Sequence, residues 1–414
     1  MSTILISAYA VDPFRGSEEG MGWNFIRQIA RFNKVIAITR ENNLPQIQKY
    51  LALHEVPEAE NIQFVGYDLP KHLRFWKRGV KGSRLYFFLW QRTLPAFIRK
   101  QGWAFDIAHN LNFHNDWAPS FLWKLGRPFV WGPVGHHPLI PEDFLKPSYG
   151  TKAYMKNRLN WLVKNLFWNS SALKRTAQEA DVVFAMNSEV ETVLPPVKQL
   201  TLMPSVGTEY VEWAWSGPKP TFEVLSIGRF VPMKGFDLTL QAFANFLQRA
   251  GYPDPAHVKL VLVGKGPEQT HLEVLADRLK ITPYLNIISW VDREKLADIY
   301  RRSSVFLFPS HEGAGMVVAE AMSYGLPVVC LENSGPGEFV TKESGKAVPY
   351  KTYYETVFEL GSNVHQLYAE PQSLEALSKG ARHRFESWFD WEVKGEIIRE
   401  AYEHILQTAS AGKQ

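Results

Sequence analysis

Glu312 and Glu320 stand eight residues apart, and between them runs Gly313-Ala314-Gly315, a segment with little side-chain bulk. Carboxylates so placed accept hydrogen bonds from vicinal hydroxyls, which sugars present in abundance. Upstream, Gly228-Arg229 and Lys234-Gly235 bring two cations into one short loop. Arginine grips phosphate oxygens with a planar fork, and lysine meets them as a compact charge. Such a pair suits a pyrophosphate, including the negative charge that builds as one departs. Taken singly, each residue has a plainer reading: Glu312 capping a helix dipole, Glu320 a solvated helix residue, Arg229 and Lys234 exposed loop cations.

The elements that must position these groups are legible nearby. Val305 to Phe308 is a short apolar run of strand type, broken by Pro309-Ser310-His311. From Met316 to Tyr324, Val317, Val318, Ala321 and Met322 recur at helical spacing, and Gly325 and Pro327 end the helix. The order is strand, glycine loop, helix N-terminus, where free N–H groups and the helix dipole attract anions. Glu312 falls on the loop and Glu320 about one turn into the helix.

Strand-like and helix-like segments alternate along the rest of the chain. TILISAYA, KVIAITR, IQFVGYD, DIAHN, PFVWGP and DVVFAMN read as one series of strands, with a first helix from about Gly22 to Phe32. FEVLSIGR, VKLVLVGKGP, LNIISWV, SVFLFPS and PVVCLEN read as a second. This pattern predicts an α/β chain of parallel β-α units, with ligands beyond the carboxyl ends of the strands. Pro204 to Thr208 reads as a linker, giving domains at 1–204 and 205–384. The loop Gly16-Ser17-Glu18-Glu19-Gly20-Met21-Gly22 follows the first strand but is out of register with the dinucleotide fingerprint.

Composition narrows the class. The 414 residues exceed one usual core, and 45% apolar with 21% charged residues is ordinary for a soluble globular protein. One cysteine, Cys330, excludes an internal disulfide and cysteine zinc sites, in keeping with a reduced cytoplasmic setting. A net charge of +4 is too mild to indicate nucleic acid. Its distribution is uneven. Lys71 to Lys100 holds nine basic residues and no acidic one, interleaved with Phe75, Trp76, Tyr86, Phe87, Phe88 and Trp90. A second basic aromatic stretch runs from Lys146 to Arg175. These stretches make an anionic membrane surface a candidate partner, with a solvated face plus core aromatics as the alternative. The opening residues MSTILISAYA lack a basic leader and read as a first strand.

The run from Phe308-Pro309-Ser310 through Glu312-Gly313, Gly315, Glu320-Ala321-Met322 and Gly325 to Pro327-Val328 resembles the signature of retaining GT-B glycosyltransferases of family 4. Further matches follow in order along nearly the whole chain. The resemblance implies two Rossmann-like doubly wound domains facing across a cleft, with the terminal helix, about 385–414, packed back on the first. By the same resemblance, Arg229 and Lys234, beside Gly228, hold the diphosphate. Glu320 holds ribose hydroxyls, and Glu312 with Gly313, Ala314 and Gly315 holds the donor sugar. Gly16 and Gly20 approach the donor from the first domain, with tight-turn geometry alone as the competing reading. Asp106-Ile107-Ala108-His109 matches a D-[IV]-[VI]-H pattern whose histidine lies beside the donor sugar, although a following H-x-H is absent, His114 coming later. Glu338 matches a loop glutamate that either supports the phosphate side or caps a helix, and His136 and His137 are candidates for the acceptor side.

The expected activity is transfer of a hexose-type sugar from a UDP- or GDP-linked donor to a hydroxyl of a glycan or lipid-linked acceptor, with retention. No D-x-D pair occurs in the chain, so no metal and no cofactor is expected. Peripheral attachment to the inner face of a membrane is the accompanying expectation. A nucleotide-sugar epimerase or sugar phosphorylase, and a non-catalytic sugar-binding or membrane-adaptor protein, are the competing readings.

Overall fold

The computed structural model describes residues 1–70, 72, 74, 82–111, 116–289 and 291–411. Lys71, Phe75, Trp76, Lys77, Arg78 and Lys81 of the first basic stretch, and His114 beyond His109, lie outside the described residues. The chain forms two compact units. One comprises 1–136, 162–205 and the residues from 391 onward; the other comprises 137–161 and 206–390.

In the first unit, β1 (Thr3–Ala8), β2 (Lys34–Thr39), β3 (Ile62–Gly66), β4 (Ile107–Leu111), β5 (Phe129–Val134), β6 (Val182–Ala185) and β7 (Leu200–Leu202) form one sheet. Its order is β3-β2-β1-β4-β5-β6-β7, with every pairing parallel. Ile4 lies opposite Val35 on one side and Ile107 on the other. Ile4, Leu5 and Ile6 are all fully buried, the consecutive apolar pattern of a strand covered on both faces.

In the second unit, β8 (Phe222–Ile227), β9 (Val258–Val263), β10 (Leu285–Ile288), β11 (Val305–Phe308), β12 (Val328–Leu331) and β13 (Gly345–Val348) are ordered β10-β9-β8-β11-β12-β13. These pairings are parallel too. Both sheets are doubly wound, and strand order reverses beside β1 in one and β8 in the other. Such switch points are where open α/β sheets bind ligands. The short strands β7 and β13 are additions to the series read from sequence.

The first helix begins earlier than its spacing suggests, running Ser17–Ala30 rather than from Gly22. Glu18 and Glu19 in its first turn complement the dipole. Gly20 and Gly22 are therefore helical, and close packing explains them. A Cβ would lie 2.3 Å from the Arg15 carbonyl oxygen at Gly20 and 2.2 Å from that of Ala10 at Gly22.

The helix Trp391–Ala411 packs on Ser17–Ala30 within the first unit, Trp391 meeting the Phe25 ring edge-on at 5.2 Å. Lys394 is buried there and its Nζ donates to the Pro204 carbonyl at 2.7 Å. Tyr86, Phe87 and Trp90, from the first basic stretch, lie in the core of this unit. Cys330 is buried in β12, and burial pushes its thiol up. Among the described residues no helix is long and apolar enough to cross a membrane.

Candidate active site

Two loops meet at the switch point of the second unit. The first leaves β8 at Gly228-Arg229 and ends in the turn Pro232–Lys234. Gly235 then opens the helix Phe236–Arg249 at φ 65°, a left-handed conformation that favours glycine. A Cβ on Gly235 would sit 2.0 Å from the Pro309 carbonyl oxygen, so only glycine lets the two loops close. The second loop leaves β11 at Pro309. The His311 amide and the Ser310 hydroxyl both donate to the Met233 carbonyl, at 2.9 and 3.2 Å, lacing the loops together.

This closure places Lys234 against Glu312. Its Nζ lies 2.7 Å from both Oε1 and Oε2, over the Phe308 ring with 5.2 Å to the centroid. Side-chain exposure is 18% for Lys234 and 9% for Glu312, so water screens the pair weakly. Arg229 is exposed beside the same strand end. Gly228 backs the Lys234 stem, where a Cβ would touch Cδ at 3.4 Å.

Glu312 leads into Gly313-Ala314-Gly315 and the helix Met316–Ser323. The Gly313 amide donates to Nδ1 of His137 at 3.0 Å, so this N–H has a side-chain acceptor. Glu320, inside the helix, accepts from the Tyr300 hydroxyl at 2.8 Å. Burial raises its carboxyl, opposed by that hydrogen bond and by Arg293. The Tyr300 and Tyr324 rings stack at 5.1 Å beside it.

Sequence reasoning passed over three supports. His311 is buried with Nδ1 2.8 Å from the Tyr350 hydroxyl, and burial pushes its pKa down to about 3. Asn333 donates to the Ser310 carbonyl at 2.7 Å and accepts from the Gly335 and Gly337 amides, both at 3.1 Å. Gly335 is the third: a Cβ there would lie 2.2 Å from the Glu312 carbonyl oxygen. The run Asn333 to Glu338 carried a loop signal, but nothing local marked its contact with Glu312. Glu338 itself lies in the first turn of the short helix Pro336–Phe339.

Lys234, Glu312 and Gly313 are thus brought together, with Gly228, Arg229, Ala314, Gly315 and Glu320 on the loops and helix around the same two strand ends. Gly16, Gly20 and His109 belong to the other unit. Gly16 is exposed at the start of the first helix with nothing near its Cβ position, whereas Gly20 is buried. His109 corrects its expectation as a sugar contact. It is fully buried, its Nε2 donates to the Gly132 carbonyl at 2.9 Å, and its Nδ1 accepts from the Tyr402 hydroxyl at 2.5 Å. Both ring nitrogens are occupied by protein, and burial lowers its pKa to about 4. His136, buried in the same unit, holds Asp116 through Nδ1 at 2.7 Å. Among the described residues no group of three His, Cys, Asp or Glu side chains is placed to hold a metal ion.

Residues 212–384 match the family model described as Glycosyl transferases group 1. This segment is similar to the group 1 glycosyltransferases. It contains every residue of the Lys234–Glu312 site except His137. The D-inositol 3-phosphate glycosyltransferase of Streptomyces bingchenggensis is 26% identical over 364 residues, 82% of this chain and 72% of that protein. A GDP-mannose-dependent alpha-(1-6)-phosphatidylinositol monomannoside mannosyltransferase of Mycolicibacterium smegmatis is 26% identical over 255 residues, 56% of this chain and 64% of that protein. Among solved structures, sucrose-phosphate synthase from Thermosynechococcus elongatus superposes with a TM-score of 0.68 at 18% identity, over 99% of this chain and all of that one. Anabaena HepE in complex with UDP and glucose gives 0.60 at 16%, over 98% and 100%. The fold is GT-B.

Proposed function

We propose that this chain transfers a hexose-type sugar from a UDP- or GDP-linked donor to a hydroxyl of a glycan or lipid-linked acceptor, with retention and without a metal. The observation that carries the reading is the Lys234–Glu312 contact at the switch point of the second unit, with Arg229 on the same strand end. In this reading the nucleotide lies along the carboxyl ends of β8 and β11, with Glu320 on the ribose hydroxyls. Arg229 and Lys234 take the diphosphate, and Lys234 exchanges a carboxylate partner for a phosphate one. Glu312 is then released to accept from the donor sugar's hydroxyls. The bond from the anomeric carbon to phosphate breaks as the acceptor oxygen attacks the same face. The acceptor proton passes to the departing phosphate oxygen, and fixed cations stabilise the charge left behind. The plan needs no enzymic nucleophile of the kind a retaining glycosidase uses.

The relative named for phosphatidylinositol monomannoside supports a lipid-linked glycan acceptor, and the one named for D-inositol 3-phosphate supports a polyol hydroxyl as the attacking group. A thermal-shift screen of nucleoside diphosphates and their sugars selects the donor. NMR of the product then reads its anomeric configuration, in EDTA and without it. Retention in EDTA is the expected result. An inverted product, or turnover lost to EDTA and restored by manganese, overturns the mechanism.

A further inference from the structure

Six large apolar side chains are exposed within one stretch of helix: Met155, Leu159, Leu162, Val163, Leu166 and Phe167. Leu159 and Leu166 are 62% and 76% accessible. Gly150, at φ 74° and ψ 177°, kinks the helix Glu142–Trp168, so residues 151–168 form a separate straight arm. At about 100° per residue, positions 155, 159, 162 and 166 share one face and 163 and 167 line its edge. Lys152 and Lys156 flank that same edge and Arg158 the opposite one, all three exposed. The other side of the arm turns aromatic rings inward: Trp168 is buried and Trp161 half-buried. An ordinary surface helix keeps its outward side polar, and this arm turns an apolar face outward as well as burying rings on the other.

Charge selects the occupant. From Phe144 to Gln178 there are seven basic residues and no acidic one. A second copy of this face would bring like charges together. An anionic bilayer neutralises them, while the leucines enter the boundary between head groups and acyl chains. We propose that residues 151–168 lie flat on an anionic lipid surface, buried along the face of Leu159, Leu162 and Leu166. This goes beyond the transfer reading, and for a lipid-linked acceptor it brings the enzyme to the surface holding its substrate.

Co-sedimentation with vesicles of phosphatidylglycerol and phosphatidylcholine, against phosphatidylcholine alone, tests the proposal on the whole chain. The wild type is expected to sediment with the anionic vesicles and to be released by salt. Leu159→Ser with Leu166→Ser, and separately Lys152→Glu with Lys156→Glu, are each expected to lower partitioning about tenfold or more. All four side chains are exposed, so circular dichroism should show the fold unchanged. No sedimentation of the wild type at low salt, or wild-type binding by both variants, overturns the proposal. So does a dimer in sedimentation velocity that the leucine pair abolishes while vesicle binding is absent. No nucleotide sugar is needed, so this result and the transfer reading fail independently.

Discussion

The Tyr402 hydroxyl lies 2.5 Å from Nδ1 of His109, joining the C-terminal helix to β4 across 293 residues of chain. Nε2 of the same ring must donate to the Gly132 carbonyl, so Nδ1 is the acceptor and Tyr402 the donor. In so buried a place the cost of orphaning a group exceeds the worth of the bond. Tyr402→Phe is expected to lower unfolding free energy by about 1–3 kcal/mol. That appears as a lower urea midpoint at unchanged slope, with turnover per folded molecule intact. Lost turnover at an unchanged midpoint would return His109 to the donor site.

This bond also marks where sequence reading ends. The β-α alternation and the motif around Glu312 rest on local spacing, and those strands and that glycine loop stand where spacing puts them. His109 was legible as a strand-end histidine, but its partner is a tyrosine in the last helix, and no local pattern pairs them. The contact between the Gly313 amide and His137 is also remote, 176 residues apart. The glycine-rich run around Gly20 reads as loop from sequence alone. Here the missing side chain of Gly20 lets the helix press on the Arg15 carbonyl, which only tertiary packing shows. Strand β7 has only three residues, and β13, Gly345-Lys346-Ala347-Val348, breaks its apolar residues with glycine and lysine, so neither shows the apolar run that marks the four-residue strands β11 and β12.

Lys234 and Glu312 make a second prediction, because each serves stability and binding differently. Lys234→Ala strands a nearly buried carboxylate and is expected to cost about 1–3 kcal/mol, below the range for wholly buried pairs because Lys234 keeps some exposure. It should also lower kcat by about 10²–10³, the scale for removing one preorganised charge contact. Adding Glu312→Gln should recover part of the stability and none of the turnover, a non-additivity expected of residues in contact. Stability losses that simply add, or a kcat that survives Lys234→Ala, would show that the pair does not act as a unit.

Acid should expose the buried histidines. Burial holds His109 at about 4 and His311 at about 3, against an ordinary 6.5. Below pH 6.5 the unfolded chain takes up protons that the folded one refuses. Their contribution is therefore complete above 6.5 and lost as pH falls, through 4 for His109 and on to 3 for His311. Asp237 and Glu320 oppose this, since burial raises both carboxyls and protonation favours their folded forms. The clean readout is therefore a difference. His109→Gln should flatten the fall of the urea midpoint between neutrality and about pH 4, by roughly one proton's slope. An unchanged profile would mean that His109 is not held neutral.

Two glycines with similar left-handed φ test whether loop closure needs an empty position. Gly235 and Gly251 have φ of 65° and 72°. Alanine at either meets the left-handed penalty of about 1–2 kcal/mol. At Gly251 nothing lies within 4 Å of a new Cβ, so Gly251→Ala should cost no more than that penalty. At Gly235 the Cβ would lie 2.0 Å from the Pro309 carbonyl oxygen, a backbone atom that moves only if the end of β11 moves. Gly235→Ala should therefore cost more than about 3 kcal/mol, backbone strain and steric overlap together. It should also weaken nucleoside diphosphate binding by calorimetry in whatever folds, since displacing Pro309 carries Glu312 away from Lys234. Equal midpoints for the two variants would mean that the loops have room to spare and that Lys234 does not depend on this closure for its place.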